Sequence, residues 1–229
     1  MNFLRVDCEP RIFRRVKGKT VQALLFILVF AVSRLPGMLS QEFANFSAAY
    51  ALAFCAGVYL PKRAAWYLPM GAMLVTDLGL NLYYSSRGLD VWSFSVLRYQ
   101  LFNYLGYAGL IWLGRRFNSK SSFSGLLGGG LLGALLFYFI TNTASWLFNP
   151  FHNPEYTPTL LGWLTALITG TKGWPQTWHF FWNTMLSGGL FTALFVGTMK
   201  ATAESPLDKE AGARAEAPAE KEAPEEASA

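Results

Sequence analysis

The feature that most constrains this chain is a series of apolar runs, each close to the length a helix needs to cross a bilayer. A spanning helix takes roughly 20 mostly apolar residues. Runs bounded by charge, Pro or polar clusters fall at residues 20–39, 45–60, 64–84, 98–114, 122–148 and 175–199. The composition agrees, with 52% of the 229 residues hydrophobic and 14% charged, a poor balance for a soluble domain of this size. The sequence therefore predicts an all-α, polytopic membrane protein with six transmembrane helices. A further apolar piece at residues 159–169 lies between Pro158 and the Gly170, Lys172, Gly173 cluster. It is too short to cross, and is expected to re-enter the membrane or lie at its interface.

Charge sets the expected orientation, because Lys and Arg near short loops stay on the cytoplasmic side. One set of alternate loops carries Arg5, Arg11, Arg14, Arg15, Lys17, Lys19, Lys62, Arg63, Arg115, Arg116, Lys120 and Lys200. The other carries only Arg34, Arg87, Arg98 and Lys172. Both termini are thus expected in the cytoplasm, with the chain in the inner (cytoplasmic) membrane. The implied organisation is a basic cytoplasmic segment (1–19), a six-helix transmembrane domain (20–199) and an acidic tail (200–229). From Lys200 onward eight acids face four bases, with almost no large apolar side chains, so the tail is expected to be disordered. The basic leader, the apolar stretch after it and the A-V-S at residues 31–33 resemble a signal peptide with its cleavage site. Residues 34–36 run straight into the next membrane segment, and an uncleaved first helix is the simpler reading.

Several function classes find no residues to carry them. The cations sit in short clusters between apolar runs rather than along one polar face, which excludes a nucleic-acid partner. Cys8 and Cys55 lie too far apart in type of segment to suggest a disulfide framework or a zinc site. His152 and His179 are too few for a histidine-rich metal centre, and neither H-E-x-x-H nor C-x-x-C occurs. Ser187 and His179 stand about two turns apart on one helix, too far for a nucleophile and its base. No Gly-rich phosphate cradle follows a strand. No enzyme, cofactor or metal is expected, and uphill transport would need another subunit or an ion gradient.

Polar side chains inside hydrocarbon are expensive, so each needs a partner, a water-filled cavity or a ligand. Here they are expected at or outside the midplane, above inner halves of Leu, Phe, Ala and Gly. Asp77 with Asn81, and His179 with Asn183, are spaced i, i+4, so each pair shares a helix face. Converging polar groups open to one side describe a pocket for a small polar molecule. The candidate lining is Arg34, Asn45, Asp77, Asn81, Asn103, Asn142, Trp146 and Asn183, with Tyr156 and His152 as an outer lid. Trp146 would stack on a planar group while the amides fix orientation. Interhelical hydrogen bonding explains any single Asn equally well. Arg34 is the expected counter-ion of Asp77, with proton coupling through Asp77 as the alternative. Small residues at i, i+4, i+8 (Gly125, Gly129, Gly133, and Ala49, Ala53, Gly57) let helices approach closely. Such stripes serve either the bundle itself or, for Ala49, Ala53 and Gly57, a docking partner.

The stretches RLPGMLSQEFANFSAAYALAFCAGVYLP, WYLPMGAMLVTDLGLN, FYFITNTASWLF and HFFWNTMLSGGLFTALFVG resemble an uncharacterised family of bacterial multi-pass membrane proteins. Its pattern falls on Arg34, Asn45, Phe46, Pro69, Thr76 with Asp77 and Leu78, Asn142, Trp146, Thr159 with Gly162, and Asn183, over residues 30–198. That family is similar in turn to the substrate-binding S components of energy-coupling-factor (ECF) transporters. The resemblance implies a six-helix bundle that captures a vitamin or related nutrient and depends on a transmembrane coupling subunit with two ATPases. The sequence departs from the pattern, with the T-K-G-W-P segment and the acidic tail as extras. The small-residue stripe is on the second run rather than the first, and Ser187 and Gly188 replace the usual G-D.

The sequence thus predicts a substrate-capture protein embedded in the lipid bilayer. A non-transporting scaffold whose tail recruits a cytoplasmic protein, and an ion-coupled carrier using Asp77, stand as alternatives.

Overall fold

Helices account for the folded chain, in keeping with the long apolar runs. A computed structural model describes residues 11–203, with side chains from residue 21. The helices are α1 (Arg11–Ser33), α2 (Leu35–Leu39), α3 (Ala49–Tyr59), α4 (Ala64–Ser86), α5 (Phe94–Gly114), α6 (Phe123–Phe148), α7 (Leu160–Ile168) and α8 (Thr177–Ala203). A single 3-10 turn, Gln41–Phe43, lies between α2 and α3, and no strand occurs among the described residues. The chain separates into two compact units, Met1–Val196 and Gly197–Ala229. Most of the basic leader (residues 1–10) and the acidic tail beyond Ala203 lie outside the described residues.

The expectation of six spans is corrected to three. Only Val21–Leu39, Phe123–Phe148 and Thr177–Ala203 combine the length and the apolar character that crossing requires. The reason is specific in each remaining run. α3 has 11 residues, about 16 Å at 1.5 Å per residue, roughly half the hydrocarbon thickness. Its start is delayed because Asn45 adopts a left-handed conformation (φ 64), which an Asn tolerates but a helix cannot continue through. α4 and α5 are long enough at 23 and 21 residues, but Asp77, Asn81, Arg98, Gln100 and Asn103 interrupt their apolar character. The short apolar piece forms α7, nine residues capped by Thr159, whose hydroxyl accepts the Gly162 N–H at 3.1 Å.

α3 is the centre of the fold. Ala49 to Gly57 are all buried along it, because it is wrapped by α4, α5 and α6. The closest approach is to α5. A Cβ on Gly57 would stand 2.3 Å from the Ile111 carbonyl oxygen, and one on Gly114 would stand 2.1 Å from that of Phe54. Two facing glycines therefore set the α3–α5 distance, with backbone against backbone. This corrects the docking expectation for Ala49, Ala53 and Gly57. Ala49 and Ala53 are buried at 1% and 0% exposure, and the stripe is consumed by packing within the bundle. The α6 stripe behaves alike: Gly129 meets Phe54 and Phe117, Gly133 meets Leu110, and Gly130 meets Thr192 of α8.

Outward, the bundle is greasy. Leu24, Leu28 and Val32 of α1, Val75 and Leu82 of α4, Leu101 and Leu105 of α5, Leu136 and Phe139 of α6, and Leu186 and Leu190 of α8 are all exposed. Apolar faces of this extent are uncommon on soluble monomers.

Candidate functional site

The site is built where α1 breaks. Ser33 closes α1, its hydroxyl donating to the Phe30 carbonyl at 2.7 Å and accepting the Ala48 N–H at 2.8 Å. Those two hydrogen bonds fix the break against the start of α3. Arg34, the residue between α1 and α2, reaches from there to α4. Its Nη1 lies 2.5 Å from Asp77 Oδ1 and donates to Thr76 Oγ1 at 2.9 Å. The Tyr104 hydroxyl of α5 donates to the other carboxylate oxygen at 2.7 Å. Each oxygen of Asp77 therefore has a partner, and three elements meet on one carboxylate. The Arg34 and Asp77 side chains keep only 20% and 18% exposure, so the charges are held in a poorly solvated setting where they must compensate one another.

One turn along α4, Asn81 is paired with Gln100 of α5 in both directions. Gln100 Nε2 donates to Asn81 Oδ1 at 2.9 Å, and Asn81 Nδ2 donates to Gln100 Oε1 at 3.2 Å. Asp77 with Tyr104 and Asn81 with Gln100 are thus two rungs between antiparallel helices. Beside them runs a groove of about 420 Å³ lined by Leu74, Asp77, Leu78, Asn81, Trp92, Phe94, Leu97, Arg98, Gln100, Leu101 and Tyr104. Arg98 sits against rings, its guanidinium carbon 5.2 Å from the Phe148 centroid and 5.9 Å from that of Phe94. Its Nε is buried with no hydrogen-bond partner.

Of the eight residues predicted to line one pocket, the structure brings together Arg34, Asp77 and Asn81, and spends most of the others elsewhere. Asn45 is exposed, and its carbonyl accepts the Tyr50 hydroxyl at 2.9 Å. Asn142 bonds back to the Tyr138 carbonyl on its own helix at 2.8 Å. The Trp146 indole N–H donates to the Thr157 carbonyl at 2.7 Å, tying down the loop after α6. Asn183 of α8 donates to the carbonyls of Glu42 and Ala44 at 2.6 and 2.9 Å, anchoring the 3-10 turn. Asn103 is half-buried in the middle of α5. The physical reason for the dispersal is local: an amide with a free carbonyl within reach satisfies itself there instead of waiting for a ligand. The expected lid residues also stand apart from the groove. His152 is exposed in a left-handed turn (φ 55). Tyr156 is half-buried beside Glu155, Ser145 and Thr177, and that burial pushes its hydroxyl above the ordinary value.

Gln100, Tyr104 and Arg98 complete the site and were absent from the predicted lining. The signal was present, since Gln100 and Tyr104 repeat on α5 the i, i+4 spacing of Asp77 and Asn81 on α4. Among the described residues no group of three or more His, Cys, Asp or Glu is placed to hold a metal ion.

The chain matches the family of unknown function DUF6580 over residues 14–210, and belongs to that family. No curated protein matches the chain significantly. No solved structure matches it significantly either.

Proposed function

We propose that this member of the family is an integral membrane protein that captures a small molecule in the groove between α4 and α5, without ATPase activity of its own. The observation that carries this reading is the groove itself, an apolar cleft set beside two paired polar rungs. Asp77, Asn81, Gln100 and Tyr104 are held rigidly by one another along one side, and a cavity of about 420 Å³ is within the size range of small-molecule sites. Three helices long and apolar enough to cross, together with exposed apolar faces on α1, α4, α5, α6 and α8, support placement in a bilayer. In the proposed arrangement α4 and α5 cross as well, their polar residues facing each other, and α3 completes the bundle from within. The loops that follow α3 and α5, with Lys62, Arg63, Arg115 and Arg116, then lie on one side together with the C-terminus, the cytoplasmic one by the charge rule.

The sequence resemblance to ECF S components supports a nutrient or vitamin precursor as the captured molecule, handed to a separate coupling subunit with ATPases. The Arg34 partner of Asp77 argues against the ion-coupled carrier, because the carboxylate charge is already matched within the protein.

The test is thermal melting of the purified full chain against a panel of vitamins, nucleobases and their precursors. A ligand present at 100 times its dissociation constant adds about 2.7 kcal/mol. For a chain of this size that corresponds to a rise in Tm of roughly 5–10 °C. Leu78→Trp, which fills the groove from an exposed flank, is expected to remove the shift while leaving the unliganded melt in place. If no compound shifts melting and removal of residues 204–229 loses a bound protein, the scaffold reading replaces this one.

A further inference from the structure

We infer that the α4–α5 groove takes an acidic phospholipid from the bilayer, its phosphate on Arg98 and an acyl chain running along Leu101, Leu78 and Leu74. This rests on the groove being a ligand site, though not on nutrient uptake.

The argument begins with charge. Two permanently charged or readily ionised groups line the groove, Asp77 and Arg98. Asp77 is matched by Arg34 and by the Tyr104 hydroxyl. The Asn81 and Gln100 amides use one another. Arg98 is left with aromatic faces for neighbours and a buried Nε without an acceptor. Arg98 is half-buried and its Nε lacks an acceptor, and a phosphate accepts the parallel N–H donors of a guanidinium two at a time. The groove is thus complementary to an anion, and to one carrying a single compact head group.

The walls specify the rest of the ligand. Apart from the polar rungs and Arg98, the lining is Leu, Phe and Trp92, and the Trp92 indole N–H is the one further donor it offers a sugar or a nucleobase. Leu78 and Leu74 are one turn apart on α4, and Leu101 faces them from α5. Because Asp77 pairs with Tyr104 and Asn81 with Gln100, the helices run antiparallel, and these leucines lead away from Arg98 in a line. Leu74, Leu78 and Leu101 are 51%, 45% and 62% exposed, so the groove is open along its flank. A lateral opening between two apolar helices admits a chain from the lipid phase, and an acyl chain is the occupant whose length and apolarity match such walls.

The experiment is native mass spectrometry of the full chain released from nanodiscs of equal parts dioleoyl phosphatidylglycerol and dioleoyl phosphatidylcholine. The expected result is retention of phosphatidylglycerol over phosphatidylcholine by about tenfold, the value of one charge-assisted contact of roughly 1.4 kcal/mol. Arg98→Gln should bring the ratio near unity, and Arg98→Lys, which keeps the charge but not the paired N–H donors, should keep only part of it. Arg87→Gln, which alters an arginine stacked on Tyr83 and absent from the groove lining, should change nothing. Leu78→Trp should reduce retention of both lipids. Equal retention in the unaltered chain, or a preference that survives Arg98→Gln, overturns the inference. If a water-soluble vitamin shifts melting while the lipids are held equally, ligand capture stands and this assignment falls. If neither occurs, both fall.

Discussion

Asn81 and Gln100 exchange two hydrogen bonds, at 2.9 and 3.2 Å, and so bind α4 to α5 at the level of the groove. The pair is reciprocal, each amide giving one N–H and taking one in return, so neither side chain can be replaced without stranding the other. Asn81 is the more buried, at 5% exposure. We expect Asn81→Ala and Gln100→Ala each to destabilise the chain, and the double variant to cost less than the sum. The coupling energy should be about 0.6–1.7 kcal/mol, the range found for interhelical hydrogen bonds in a membrane. Reversible unfolding in mixed micelles measures it, and strict additivity would show that the two amides do not act as a unit.

The ion pair one turn away makes a stronger demand. Asp77→Ala would leave Arg34 with only Thr76 and the Phe30 ring for company. Losing one member of a buried pair costs about 3–5 kcal/mol, whereas replacing both with apolar residues of similar size is often neutral. Asp77→Ala should therefore lower the yield of monodisperse protein in size-exclusion chromatography, and the Arg34→Met, Asp77→Leu double variant should restore most of it. A double variant as damaged as the single one would mean that Tyr104 or Thr76, not the charge, is the critical partner.

How much of this could be read from the sequence depends on the range of the interaction. The helical class and the short α7 follow from apolar run length and its flanks, which are local, whereas the Arg34 to Asp77 pairing, distant in sequence, follows from the cost of a charge in hydrocarbon. The gathering of the other amides was not legible. Whether Asn142 bonds Tyr138 on its own helix or Asn183 reaches the 3-10 turn depends on which carbonyls the fold brings within 3 Å. The short α3 was hidden for a different reason: its apolar run is continuous, and the left-handed turn at Asn45 that shortens it leaves no mark in hydropathy. Gln100 and Tyr104 could have been found from their matching spacing with Asp77 and Asn81.

The α3–α5 contact predicts a sharp contrast between glycines. Gly57→Ala places a methyl 2.3 Å from the Ile111 carbonyl oxygen, a backbone atom that cannot rotate away. Helix separation would have to grow along the best-packed part of the core, at a cost of about 1–3 kcal/mol. Gly109→Ala, on α5, meets nothing within 4 Å, and should be neutral or gain up to about 1 kcal/mol from helix propensity. Thermal melts of the two variants should move apart by several degrees, and equal melts would place the close approach elsewhere.

Asn183 supplies the last prediction, because its role in the structure differs from the one its position suggested. Its Nδ2 holds the carbonyls of Glu42 and Ala44 at 2.6 and 2.9 Å, so α8 fastens the turn that connects the Arg34 break to α3. The turn's own backbone bonds are Phe43 N–H to Ser40, Ala44 N–H to Gln41 and Phe46 N–H to Phe43. Asn183→Ala should therefore speed amide hydrogen exchange of Ala44 and Phe46 markedly. Exchange in the middle of α3 should be unchanged, because its burial does not depend on the turn. Asn183→Asp loses both donors and keeps the size, so it should behave like the Ala variant. If Asn183 served chiefly to hold a ligand, exchange in the turn would stay slow in both variants while ligand-induced melting shifts disappeared.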